Sequence, residues 1–326
     1  MERRILGKTG YEVSEIGLGC WQLGGDFGPV SDAEANEILK TARSLEVNFW
    51  DTADVYGGGL SESRIGAFAD KQGVYVATKL GRGSQFPGMT GYNRRNVKES
   101  LAGSLKRLGV ETLDLAQFHC IPTDVLRDGE IFNILDDLRD EGLMRHWGAS
   151  VENVEEALLA LRAEGLATLQ IIFNLFRQDY ATEVLPKAAA QNVGIIVRLP
   201  LASGLLAGKW TKDTTFPASD HRNYNADGKA FNVGETFAGL PFETGVELAD
   251  ELRASFVPKG LPMSQFALRW LLDHPAVSTI IAGVTKPAQL RDNVEATGRD
   301  PLEPGLVEEL RDWYERRVRP HVRGQI

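Results

Sequence analysis

Short runs of Val, Ile, Leu and aromatic residues recur along the chain, separated by longer stretches in which apolar residues return every third or fourth position. The first pattern predicts buried strands and the second amphipathic helices; their alternation builds a parallel sheet with helical crossovers. Eight strands are predicted, at 16–20, 47–51, 74–79, 113–119, 145–149, 169–173, 194–199 and 277–281. Val97, Leu101, Leu105 and Leu108 share one face of a helix over 95–108, and Phe266, Ala267, Trp270 and Leu271 one face of a helix over 263–272. Both stripes read as core. Ser31-Asp32, Ser61-Glu62 and Asn93 mark helix starts, since short polar side chains take up the free N–H groups of a first turn. Together these elements predict an α/β fold, a (β/α)8 barrel, forming a single domain over residues 1–326.

Two stretches break the alternation. Residues 4–14 read as a hairpin turning at Gly7-Lys8-Thr9-Gly10, expected to plug one end of the barrel. Residues 211–241, after the seventh strand, are polar and dotted with aromatics, and loops of such length are usually functional. A lid over substrate is expected there, followed by a helix over 242–255. A charged helix over 303–318 is expected to pack on the outside.

Composition narrows the functions. With 43% hydrophobic and 25% charged residues, the 326-residue chain has material for a large core. A net charge of −9 argues against nucleic acid or an anionic membrane surface as the main partner. Cys20 and Cys120 are too few for a disulfide framework and fit a reducing, cytoplasmic setting. Small apolar fillers are their ordinary reading, a reactive thiol the alternative. The first ten residues are too charged for a secretory signal, and no apolar run reaches the ~20 residues of a spanning helix. The five histidines do not cluster with Cys or carboxylates at ligand spacing, so no metal is expected. No symmetric apolar patch marks an oligomer interface.

Functional groups of a parallel barrel gather where its strands end. Three neighbouring strand ends carry Asp51 with Tyr56 shortly after it, Lys79, and His119. Taken singly each has an ordinary role: a helix cap, a rim tyrosine, a solvated lysine, a core histidine. Converging, they make chemical sense. Tyrosine is a poor acid, its phenol ordinarily titrating at ~10; a nearby ammonium favours its phenolate, and Asp51 can hold that ammonium. Tyr56 then serves as general acid toward an alkoxide while His119 orients the carbonyl oxygen. Gly17-Leu18-Gly19 begins like a dinucleotide fingerprint but has Gln22 at the third required position.

The run Gly17-Leu18-Gly19-Cys20-Trp21, the stretch from Asp51-Thr52-Ala53 to Tyr56-Gly57, Thr78-Lys79, and Gln117-Phe118-His119 resemble, in order, the landmarks of the aldo-keto reductases over nearly the whole chain. The resemblance implies a catalytic tetrad of Asp51, Tyr56, Lys79 and His119 and the reduction of an aldehyde or ketone by a nicotinamide dinucleotide. It also implies cofactor contacts from Gly19, Trp21 and Asp51, and from Ser150 and Gln170 to the carboxamide, with Val151 where the family usually has Asn. The segment from Pro200 to Lys209 looks like the loop that covers the pyrophosphate, bringing in Leu201, Ser203, Gly204, Leu206 and Lys209. Arg198 stands where many members place an aromatic ring, and is read either as a guanidinium stacked on the nicotinamide or as a structural ion pair. Gly283, Thr285, Lys286, Gln289 and Asn293 resemble the adenosine end, with Ala282 in place of the family's proline. Lys286 paired with a 2′-phosphate favours NADP(H), with NAD as the other possibility.

Trp21, Val55, Tyr56, Phe86, His119, His221 and Arg222 are expected to wall the substrate. Apolar walls suit simple aldehydes. His221 and Arg222 either recognise hydroxyls or an anionic group of a sugar-like carbonyl compound, or belong to a solvated loop. Two alternative functions stand beside carbonyl reduction: a cofactor-sensing regulatory subunit with little turnover, and a sugar or polyol dehydrogenase running oxidatively.

Overall fold

In the computed structural model, which describes residues 1–25 and 27–326, the chain opens on an antiparallel hairpin of β1 (Arg3–Ile5) and β2 (Glu12–Ser14). Eight parallel strands then close a barrel: β3 (Ile16–Gly19), β4 (Phe49–Asp51), β5 (Tyr75–Leu80), β6 (Leu113–His119), β7 (Met144–Ser150), β8 (Leu166–Ile172), β9 (Gly194–Arg198) and β10 (Val277–Gly283), with β10 pairing back onto β3. Each predicted strand is present, with ends shifted by up to three residues. The helices predicted over 95–108 and 263–272 appear as Arg94–Leu108 and Met263–Leu272, with Val97, Leu101 and Leu108 buried on the first.

Side chains along a strand alternate between its two faces, so every second residue points into the barrel. At the lower level Phe49, Ala77, Leu115, Ile196 and Ile281 form a buried inner cluster, completed from below by Leu6 and Val13 of the hairpin. The plug expected from the sequence is thus in place. Gly7 makes the seal, with φ +50° and a hypothetical Cβ only 2.1 Å from the backbone nitrogen of Gly194. Two residues further along the same strands stand Asp51, Lys79, Gln117, Arg198 and Gly283. The interior therefore changes from an apolar layer to a polar one within a single pleat.

Ser31 and Asn93 cap their helices, Ser31 in a reciprocal box with Glu34. Ser61 does not. The helix Leu60–Ala67 is capped two residues earlier, by Gly59, because glycines 57–59 all take positive φ and turn the chain sooner. Ser61 is buried instead, accepting from Thr52 Oγ1 at 2.8 Å and donating to the carbonyl of Cys20 at 2.7 Å. The stretch 211–241 is packed rather than featureless: it holds short helices at His221–Tyr224, Val233–Glu235 and Phe237–Gly239, and leads into the expected helix, Phe242–Ser255. Near the C-terminus the helix Pro304–Trp313 continues as a wider turn, Tyr314–Val318. Among the described residues no helix is long and apolar enough to cross a membrane.

Candidate active site

Asp51 ends β4, Lys79 lies near the end of β5 and His119 ends β6, while Tyr56 opens the tight turn Tyr56–Gly59. That turn is held close over the barrel because Gly57 faces Gly24 backbone to backbone; a Cβ on Gly57 would sit 2.3 Å from the Gly24 carbonyl oxygen. The four side chains meet. Lys79 Nζ donates to Asp51 Oδ1, to the carbonyl oxygen of Thr52 at 2.9 Å and to Tyr56 Oη at 3.2 Å. An ammonium has three protons, and here each has an acceptor. Asp51 is fixed in turn by Gln117 Nε2 at 3.0 Å and Gln170 Nε2 at 2.8 Å, both on Oδ2. The Tyr56 ring meets His119 edge-on at 5.6 Å between centroids and stacks on Trp21 at 5.7 Å.

Burial decides the protonation states. It pushes the Tyr56 phenol above its ordinary value, outweighing the pull of the Lys79 ammonium toward the phenolate. The pull of the ammonium expected from the sequence is present but outweighed, and the hydroxyl carries its proton at neutral pH, as a general acid must. For Lys79 burial works to lower the value, but the Asp51 carboxylate and Tyr56 outweigh it, so the amine stays charged. Burial, with the cations Arg82, Lys79 and Arg198, holds His119 well below the usual imidazole range, so it is neutral. Its Nδ1 is buried and has no hydrogen-bond partner among the described residues.

A cleft of about 710 Å³ runs from Asp51, Tyr56 and His119 past the segment 198–210 to Thr285, Lys286, Gln289 and Asn293. Its size falls within the range of small-molecule and cofactor sites. Among the described residues, buried polar atoms without partners border it, at Gln22 Oε1, Trp210 Nε1 and Arg198 Nε. Such atoms are costly unless a ligand or water meets them, and their distribution along the cleft fits an elongated polar group such as a dinucleotide.

The family model for the aldo/keto reductase family matches residues 15–315. The chain belongs to the aldo/keto reductase family. Members are generally NAD(P)H-dependent oxidoreductases. The chain is 30% identical to an aldo-keto reductase of Bacillus subtilis, over 91% of this chain and 89% of that protein. It is also 30% identical to a probable voltage-gated potassium channel subunit beta of rice, Oryza sativa subsp. japonica, over 95% of each. A glycerol dehydrogenase of Gluconobacter oxydans superposes with a TM-score of 0.76 at 28% identity, covering 100% of this chain and 97% of that one.

Of the cofactor contacts expected for an aldo/keto reductase, Gly19, Trp21, Asp51, Gln170, Arg198, Leu201, Ser203, Gly204, Lys209, Gly283, Thr285, Lys286, Gln289 and Asn293 line the long cleft. Leu206 and Ser150 lie outside its lining. Leu206 is fully buried in the hydrophobic core, on a turn where Ala202 and Ser203 take positive φ and Ser203 instead faces the cleft. Ser150, at the end of β7, is buried with its hydroxyl 3.7 Å from Cys120 Sγ. Gln170 has its amide nitrogen engaged by Asp51 and Gln117, which leaves its oxygen as the group available to a ligand. Arg198 combines the two readings: it lines the cleft and also pairs with Glu235 at 3.1 Å.

The expected substrate walls divide. Trp21, Tyr56 and His119 border both the long cleft and a second pocket of about 480 Å³, and Val55 borders the second pocket alone. Phe86 reaches neither, because its ring stacks on Tyr92, whose hydroxyl ties the loop back to the Gly81 carbonyl at 2.8 Å. His221 is fully buried, packed against Trp21 and Phe27 with Nε2 3.5 Å from Ser203 Oγ; burial pushes its imidazole down to about 4. Arg222 lines the long cleft, held by both oxygens of Asp220 and lying 4.5 Å over the Phe216 ring.

Sequence reading missed Arg82, Glu152, Asn232 and Glu235, which line the second pocket together. Arg82 follows β5, Glu152 follows β7, and Asn232 and Glu235 lie on the long stretch after β9. Arg82 pairs with Glu152 at 3.1 Å and also with Glu235. No spacing rule connects residues 82, 152 and 235; the positions of Arg82 and Glu152, each two residues beyond a strand end, were the available signal. Cys120, Glu152 and Glu235 bring potential metal-ligand atoms within 4.8 Å of one another. Arg82 and Arg198 already meet the charge of the two acids.

Proposed function

We propose that this aldo/keto reductase family member reduces an aldehyde or ketone with NADPH in a reducing compartment such as the cytoplasm, Tyr56 giving the proton. The observation that carries the reading is the Tyr56 hydroxyl 3.2 Å from an ammonium whose other two protons are already bound, at the point where the two cavities meet. A reduced nicotinamide dinucleotide in the long cleft supplies hydride to the carbonyl carbon. The chain's own residues do the rest. Neutral His119 holds the carbonyl oxygen by hydrogen bonding, Tyr56 Oη passes its proton to that oxygen, and the Lys79 ammonium stabilises the phenolate left behind. Asp51, Gln117 and Gln170 keep the ammonium in place.

The adenosine end supports NADPH over NADH. Gln289 Oε1 accepts from the backbone nitrogens of Thr285 at 2.8 Å and Lys286 at 3.1 Å, so these N–H groups are already satisfied. The Lys286 ammonium is the remaining positive group on this turn for a 2′-phosphate. Lys286→Ala is expected to weaken NADPH binding by about tenfold, the size of one charge-assisted hydrogen bond, and NADH binding much less. Equal losses for both cofactors, measured by fluorescence titration, would contradict this assignment.

Two observations favour further readings. The likeness to a glycerol dehydrogenase supports the reverse direction, in which the same tyrosine acts as base toward an alcohol. The likeness to a channel subunit supports a cofactor sensor. A steady-state assay of NADPH oxidation with 4-nitrobenzaldehyde separates enzyme from sensor. Turnover is expected; tight NADPH binding without turnover of any carbonyl would favour the sensor.

A further inference from the structure

Within the stretch after β9, residues 232–239 follow an unusually tight path. Asn232 caps the short helix Val233–Glu235, its Oδ1 accepting from the Gly234 nitrogen at 2.7 Å, and Phe237, Ala238 and Gly239 then take positive φ of 54°, 57° and 88°. Residues with side chains rarely adopt such angles, and two in a row persist only where surrounding contacts compensate. One such contact is the Phe237 N–H, which donates to Ser203 Oγ at 3.1 Å. The path leaves the Glu235 side chain 4% exposed, on the border of both the long cleft and the second pocket.

That carboxylate joins two arginines that reach different parts of the site. Glu235 Oε1 accepts from Arg82 Nη2, and Oε2 accepts from Arg82 Nη1 at 3.3 Å and from Arg198 Nη1 at 3.1 Å. Arg82 in turn donates from Nε to the backbone carbonyl of His119 at 3.1 Å. Arg198 donates from Nη2 to the Val151 carbonyl at 3.1 Å and lines the long cleft, where its buried Nε has no partner among the described residues. Two guanidiniums on one carboxylate repel each other once that carboxylate is neutral. Glu152 does not replace Glu235 as their counter-charge. Burial and Glu235 push the Glu152 carboxyl up to about 7, and in its protonated form it donates to Glu235. Burial works to raise Glu235 as well, but Arg82 and Arg198 hold it down to about 2, so it stays ionised.

We propose that Glu235 is a positioning residue for carbonyl reduction: its carboxylate fixes Arg198 in the long cleft and, through Arg82, the end of β6 that carries His119, so that a competent site requires the folded path of residues 232–239. The inference rests on the reading that His119 holds the carbonyl oxygen and that the long cleft takes the nicotinamide dinucleotide. It adds a residue that acts on both through other side chains, and a reason for the stretch after β9 to be packed rather than loose.

The test sets Glu235→Gln, which keeps the shape and removes the charge, beside Asn225→Ala. Asn225 ties the same stretch by bonds internal to it, accepting from the backbone nitrogens of Ala230 and Phe231 at 2.9 Å and donating to Thr236 Oγ1 at 3.0 Å. With NADPH and 4-nitrobenzaldehyde, Glu235→Gln is expected to lower kcat by about 10- to 10²-fold, the cost of misplacing site groups by about 1 Å, and to change KM by less than about threefold. Glu235→Asp, which restores the charge one methylene short, should recover part of kcat. In cofactor-free protein, backbone hydrogen exchange is expected to quicken in Glu235→Gln over 232–239 and also over 118–122, around the carbonyl that Arg82 holds. In Asn225→Ala it should quicken over the stretch after β9 alone, with kcat within about threefold of wild type. Wild-type kcat in folded Glu235→Gln, or an equal loss of kcat in Asn225→Ala, overturns the positioning role and leaves the reductase reading standing. If Glu235→Gln does not fold, Glu235→Asp carries the test, and wild-type kcat in that variant overturns the role in the same way. If wild type binds NADPH but reduces no carbonyl compound, while exchange over 118–122 still follows Glu235, the reductase reading fails and the coupling of Glu235 to His119 stands.

Discussion

Replacing Lys79 with Met is expected to lower stability by about 3–5 kcal/mol and to remove most of the proposed carbonyl reductase activity, because it leaves the Asp51 carboxylate buried without its cation. Lys79 and Asp51 are each 1% exposed. Gln117 and Gln170 still donate to Asp51, but two neutral amides do not replace an ammonium in a site closed to water. Tyr56 loses the group that supports its phenolate, which alone is expected to reduce kcat by about 10²–10³-fold, the cost of removing one preorganised donor from a developing anion. The pH sense of the stability effect follows from Lys79 being held above its ordinary value. Its contribution is complete below the unfolded amine's pKa of ~10.4 and is lost only as pH rises through the higher folded value. Urea unfolding at neutral pH should therefore show the full difference between wild type and variant. Identical midpoints would mean that the buried pair does not contribute as described.

Tyr56→Phe tests the donor itself. The phenylalanine ring preserves the stack on Trp21 and the edge contact with His119, and only the hydroxyl is lost. A decrease in kcat of about 10²–10⁴-fold is expected, the usual contribution of a positioned acid. Cofactor affinity should be nearly unchanged, because the cleft's length lies along the segment 198–210 and the turn at Thr285 and Lys286, away from the phenol. A parallel loss of NADPH affinity would recast Tyr56 as a binding residue.

The barrel was legible because its period is local. Each strand announces itself by a short apolar run, and the alternation of inward positions puts Asp51 two residues after Phe49 and Lys79 two after Ala77, so their convergence could be anticipated from strand ends, while Tyr56 lies on the turn after β4 and the tetrad as a set came from the resemblance. Side chains set by loops were harder. The placement of Phe86 depends on Tyr92 folding back onto Gly81, and Leu206 turns into the core because Ala202 and Ser203 adopt positive φ. Neither preference is written in a residue's type. Arg82, Glu152 and Glu235 come from three separate connections and meet only once the barrel closes. The sequence reveals the lysine beside Tyr56 but not the burial that outweighs the lysine's pull.

The central claim is that one phenol gives its proton in reduction and takes it back in oxidation. Its most direct test is the pH dependence of kcat/KM in both directions, with 4-nitrobenzaldehyde and 4-nitrobenzyl alcohol, for wild type and Tyr56→Phe. The wild type should reduce the aldehyde at a constant rate through neutrality, with a fall confined to strong alkali, and oxidise the alcohol faster as pH rises, both dependences disappearing in the variant. Persistence of both limbs in Tyr56→Phe would place the proton on another group.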